Sequence, residues 1–142
     1  KAYRNYAMEY VRTAAPVATQ VFGPVDAAYL LHLTGKLIGM QYFDEIAPGL
    51  GAVRGGPKEF AEFLRALFAA QDDDVDLVSS GGGYELHQRS WKLMADLVDY
   101  HPACVRLLEG MVEGLAAVCG RFIRVKLSTA PGGRPPFVWS VE

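Results

Sequence analysis

Cysteine, histidine and charge of either sign are all in short supply in this chain of 142 residues. It has two cysteines, three histidines, and 14 basic residues against 16 acidic ones. Two cysteines exclude a disulfide framework. If 103–119 is one helix, Cys104 and Cys119 lie about 22 Å apart at 1.5 Å per residue. A disulfide needs Cα atoms within about 7 Å, so the pair stays reduced, and a cytoplasmic setting is expected. A net charge of −2 with no basic block excludes a nucleic-acid partner held by counterion release. No run reaches the roughly 18 uncharged apolar residues of a membrane span, and Lys1 to Tyr10 shows no signal-peptide pattern. Nucleotide motifs are missing too: "RGGPKE" lacks the Gly-Lys-Ser/Thr ending of a P-loop, "GGG" lacks dinucleotide-fingerprint spacing, and there is no serine elbow. No histidine–cysteine spacing resembles a zinc motif, so neither a metal nor a cofactor is expected.

What is present is an ordinary globular composition, 51% hydrophobic and 21% charged, at a length that predicts one domain over 1–142. Residues 4–20 have helical spacing, with Tyr6, Tyr10, Ala14 and Val17 on one side, and Pro16 predicts an end or kink near Ala15. From Val25 to Ile46 the pattern is a long helix, apolar almost all round, which predicts a central, buried position. "APGLGAVRGGP" (47–57) is a loop. Residues 58–70 form an amphipathic helix with Phe60, Phe63, Leu64, Leu67 and Phe68 on one face. "QDDDVD" (71–76) reads as a solvated loop.

The character then changes. "VDLVSS" and "YELHQRS" around "GGG" (81–83) predict a β-hairpin. Helical pieces follow at about 90–98 and 103–119, with Pro102 at a helix start. "RFIRVKLS" alternates strictly, "APGGRPP" turns the chain, and "FVWSVE" closes it as a strand. The expected fold is α+β: a helical first half, then a four-stranded antiparallel sheet built as hairpin, helix, hairpin and packed on the helices.

The spacing Cys104-x5-Gly110-x3-Gly114, the run "G-R-x-I-x-V" at 120–125, the turn at Gly132 and Gly133, and the strand "FVW" resemble the four-vinyl-reductase domain. That fold is shared with trafficking adaptors and with effector domains of aromatic-sensing activators. The resemblance implies a small-molecule sensor or adaptor. The family's last hairpin often carries a Gly-Asp-Pro-x-Cys turn; "PGGRPPF" here has neither the acid nor the cysteine. The helical half followed by such a hairpin is also similar to the L-2-amino-thiazoline-4-carboxylic acid hydrolase family, although "HQRSW" replaces its cysteine-proline turn. This second likeness implies a hydrolase or lyase acting on a heterocyclic or thiol-derived acid.

Several residues are candidates for chemistry. Cys104 and Cys119 fall on one apolar stripe with Leu108, Met111 and Leu115, which favours a core role. Cys104 lies in the first helical turn near His101, where the helix dipole lowers a thiol pKa, so it is the candidate nucleophile. Glu109 and Glu113, four apart, are a solvated face beside Arg106, a carboxylate pair, or half a metal site. Period two puts Glu85, His87 and Arg89 on one strand face and Tyr84, Leu86 and Gln88 on the other. The first set is an acid–base group if it faces a pocket and simply hydrophilic if it faces water. In the long helix, His32 and Lys36 share a side with Tyr29, Gly39 and Met40. Lys36 either snorkels or anchors a carboxylate, with Gly35 and Gly39 thinning the helix to leave room. Trp91, His101 and Met111 complete the expected binding set. The expected function is binding of a small, partly apolar organic ligand, with a carboxylate or carbonyl group, in an aromatic-lined cavity between helices and sheet. A homodimer joined through the 58–70 stripe is the structural alternative.

Overall fold

The computed structural model describes the backbone of residues 2–94 and 101–142, and within those ranges the side chains from residue 9 onward. Four helices and four strands follow in the order α1 (Ala2–Phe22), α2 (Pro24–Ile46), α3 (Pro57–Ala70), β1 (Val75–Ser80), β2 (Gly83–Gln88), α4 (Pro102–Cys119), β3 (Val125–Ala130) and β4 (Arg134–Val141). Short 3-10 turns occupy Ala47–Leu50 and Lys92–Met94. The expected α+β class is the one found. Proline opens α2, α3 and α4 at the first helical positions, where its fixed φ suits the helix and its missing N–H costs nothing. The helical piece expected at 90–98 is described only to Met94, as that 3-10 turn; its remainder lies outside the described residues.

The strands form one antiparallel sheet in the order β1-β2-β4-β3. Gly81 and Gly82, at φ +54° and +88°, close the first hairpin, since a two-residue primed turn needs positive φ at both positions. Leu86, Phe137, Trp139 and Val141 point from the sheet into the core. There they meet Phe60, Phe63, Leu64 and Phe68 of α3, all nearly inaccessible. The stripe of α3 is therefore core, and it cannot be the dimer interface expected of it.

Three further expectations need correction. Helix α1 does not end at Pro16 but continues through it to Phe22. Pro16 itself is exposed. Ala15 and Ala18 hold the same turns in place by burial. The buried line of α1 is thus Val11, Ala15 and Ala18, while Tyr10 and Val17 face outward. Helix α2 is not buried all round: only Ala27, Leu31, Gly35, Gly39 and Phe43 are, and Tyr29, Leu33, Leu37 and Met40 lie open at 41–70% exposure. Finally, the acidic run is not wholly solvated, because Asp73 is buried.

Gly35 and Gly39 do not leave room. A Cβ on either would stand 2.2 Å from a backbone oxygen of α4, at Leu107 and Met111 respectively. Reciprocally, a Cβ on Gly110 or Gly114 would stand 2.0 Å from the His32 oxygen or 2.1 Å from the Lys36 oxygen. Two Gly-x3-Gly faces pack backbone to backbone, an approach that only glycine permits. Gly120 belongs to the same class, its Cβ position lying 1.8 Å from the Gly55 oxygen. The glycines that carry the family resemblance are therefore helix-packing residues first.

Candidate functional site: an apolar cavity among the helices

The four helices and the segment after β2 do not fill the space between them. A cavity of about 230 Å³ remains, and its described lining includes Ile38 of α2, Leu67 and Phe68 of α3, Trp91, and Leu108 and Met111 of α4. Among the 13 described lining residues Gln71 is the one polar residue. None of the described lining residues belongs to a strand, so this apolar cavity is lined from the helices and not, as expected, from helices and sheet. Aromatic packing shapes one wall. Trp91 meets Phe137 edge-on at 5.9 Å, and Phe68 stacks on Trp139 at 6.1 Å, a geometry that holds large rings in place.

A buried polar chain supports that wall. Trp139 Nε1 donates to Gln88 Oε1 at 2.9 Å, and Gln88 Nε2 donates to Asp73 Oδ2 at 3.2 Å. The backbone N–H of Lys92 donates to Asp73 Oδ1 at 2.7 Å. Asp73 thereby ties the Trp91–Met94 segment to the sheet. Burial pushes its carboxyl above the usual carboxylate range, opposed by the bonds from Lys92 and Gln88. The sequence reading passed over Asp73 and Gln88. A glutamine on the same strand face as Leu86 was the available signal, because a core-facing amide must find partners.

Of the residues singled out from sequence, only Trp91 and Met111 line this cavity. Lys36 borders a separate, open groove of about 820 Å³ between α2, α4 and β3–β4, with Glu113, Arg124, Lys126 and Ser140. Tyr29 and Met40 lie on the outer face of α2. His101 caps α4, its Nδ1 accepting from the Ala103 N–H at 3.2 Å. His32 Nε2 meets Glu113 Oε2 at 2.7 Å.

The strand face is decided as well. Leu86 and Gln88 are fully buried, so Glu85, His87 and Arg89 occupy the face turned away from the helices. His87 Nε2 lies 3.3 Å from Glu85 Oε1, and Arg89 pairs with Asp74 and Asp76 at the exposed sheet edge. Cys104, in contrast, is buried in the core beneath the sheet. Burial pushes its thiol up, against a smaller opposing effect of Arg12. Cys119 is likewise raised by burial. The sheet separates His87 from Cys104, so the two share no site.

No family model matches the chain, and no curated protein matches it. Among solved structures it is similar to a trafficking protein particle complex subunit 3 from Naegleria fowleri, covalently bound to palmitic acid. The TM-score is 0.72 at 14% identity, over 100% of this chain and 96% of that one. At that identity the likeness shows the fold.

Proposed function

We propose that this chain is a single ligand-binding unit that takes a slender apolar molecule, such as an acyl chain, into the cavity beside Trp91 and Met111. The observation that carries the reading is the lining itself, in which Gln71 is the one polar residue among those described. Each methylene withdrawn from water contributes about 0.8 kcal/mol, so a short run of them yields useful affinity without any charged anchor. The palmitic acid held by the similar trafficking subunit supports an acyl ligand. A carboxylate or carbonyl head would stay near the Gln71 amide or in water. Such a domain acts as a sensor or accessory module, and its two buried free thiols fit a reducing cytoplasm. The hydrolase alternative, built on His87, Glu85 and Cys104, draws no support from this arrangement, because His87 and Glu85 face away from the core that holds Cys104.

Trp91 and Trp139 supply the readout. Titrating saturated fatty acids of increasing length should shift tryptophan emission saturably. Met111→Trp, which fills the cavity, should weaken binding at least about tenfold, the cost of losing roughly two buried methylenes. Lys36→Met, outside the lining, should leave affinity within about twofold, which is under 0.5 kcal/mol. An unresponsive wild-type protein, or a Met111→Trp variant that binds as well as wild type, would overturn the reading.

A second reading has its own observation. Val25, Tyr29, Leu33, Leu37 and Met40 form an exposed apolar face on α2, continued on α1 by Val17, Val21 and Phe22. A patch of that extent marks an interaction surface, and a second copy of the chain is its proposed occupant. Described helices include none long and apolar enough to cross a membrane.

A further inference from the structure

We propose that His32 of α2 and Glu109 and Glu113 of α4 form a binding site for a divalent transition-metal ion of the zinc type. One ligand atom from each residue lies within 4.8 Å of the other two. An imidazole with two carboxylates is a donor set that suits zinc and its neighbours, whereas calcium and magnesium prefer oxygen alone. Ligand atoms of a tetrahedral site with bonds near 2.1 Å stand about 3.4 Å apart. The three side chains thus need only small rotations to close on an ion, and all three are half-buried. Three protein ligands leave a fourth position for water or an incoming group.

The backbone beneath the site is fixed. A Cβ on Gly110 would stand 2.0 Å from the His32 oxygen, and one on Gly114 2.1 Å from the Lys36 oxygen. The turn that bears His32 is therefore seated directly against the turn that bears Glu109 and Glu113. Ligands mounted on two locked helices are preorganised in a way that loop residues are not. An outer partner is present too: Arg106 Nη1 donates to Glu109 Oε1 at 2.7 Å, the kind of hydrogen bond that orients ligating carboxylates. Without an ion, Glu113 meets His32 and Glu109 meets Arg106, while the two like charges four residues apart on α4 still oppose each other. A dication answers both. Lys36, one turn beyond His32 and bordering the same groove as Glu113, limits the site on one side.

The test uses the full chain after treatment with a chelator. Zn²⁺ is followed by calorimetry and by thermal melting, and Co²⁺ by visible absorption. The proposal expects one tightly bound ion per chain, a rise in melting temperature with Zn²⁺, and the intense d–d bands of low-coordinate Co²⁺. His32→Gln and Glu113→Gln should each weaken binding by about 100-fold or more, since even an outer-sphere partner is worth about 10–100-fold. Both should also lose the Zn²⁺-dependent rise in melting temperature while folding normally without metal. Glu62→Gln, an exposed carboxylate on α3, should change nothing. Two results would overturn the proposal. One is wild-type protein that takes up no Zn²⁺ at 100-fold molar excess, which would leave His32 and Glu113 as a hydrogen-bonded pair. The other is binding that survives His32→Gln but is lost in His87→Gln, which would put the ion on the outer face of the sheet.

Discussion

Asp73 accepts from two donors that are fixed from elsewhere. Lys92 N–H belongs to the backbone, and the Gln88 amide is oriented by the Trp139 indole that donates to its oxygen. Only a group that accepts on both sides satisfies them. Asp73→Asn must turn an NH₂ toward one donor, and the unsatisfied group costs about 1–3 kcal/mol. Burial raises the folded-state carboxyl above the ordinary value of 3.8. The stability linked to this group is therefore full below pH 3.8 and declines as pH rises through the folded value. Urea midpoints of wild type and Asp73→Asn should differ at every pH, and the margin should narrow as pH climbs from below 3.8 toward neutrality. A margin that widens would show that the two donors outweigh burial.

At the scale of elements, the α2–α4 contact dominates the helical layer. Gly110→Ala places a methyl 2.0 Å from a carbonyl oxygen, and no rotamer can relieve a backbone clash. The helices must part, and overpacking of this kind costs about 3 kcal/mol or more. An unfolding free energy lowered by that amount, with Gly49→Ala as the neutral comparison because nothing lies near its Cβ position, is the expected result of denaturant titration. Element types and order were legible in the sequence because periodicity reports them locally: strict alternation in β3, the Gly81-Gly82 turn, proline at helix starts. Pro16 misled because its cost is local while Ala15 and Ala18 answer it through burial. The glycine pairs were visible as spacings, but their mutual engagement depends on which two helices meet.

For the whole molecule, the exposed face of α1 and α2 predicts concentration-dependent association. Leu33→Glu combined with Leu37→Glu should leave the isolated fold intact, since both side chains are already more than 40% exposed, yet abolish any dimer seen by analytical ultracentrifugation. Wild-type protein that sediments as a monomer at high micromolar concentration would reject the second copy as occupant. The α3 stripe offers no such surface, its phenylalanines being sealed beneath the sheet.

Amphipathic spacing told that α3 and β2 each have an apolar face, but not what covers it. By itself the sequence determined the α+β class, the two hairpins, the free state of the thiols and which residues share a strand face. Each of these follows from local geometry, from 1.5 Å per helical residue and from the alternation of a strand. Only the tertiary structure decided which face of β2 is inward, and with that the separation of His87 from Cys104. It also decided that Trp91 and Met111 line a common cavity while Lys36 does not, and that His32 reaches Glu113 across two helices. These relations join residues far apart in the chain. They depend on how helices cross and sheets cover, which packing settles and a period along one segment does not encode.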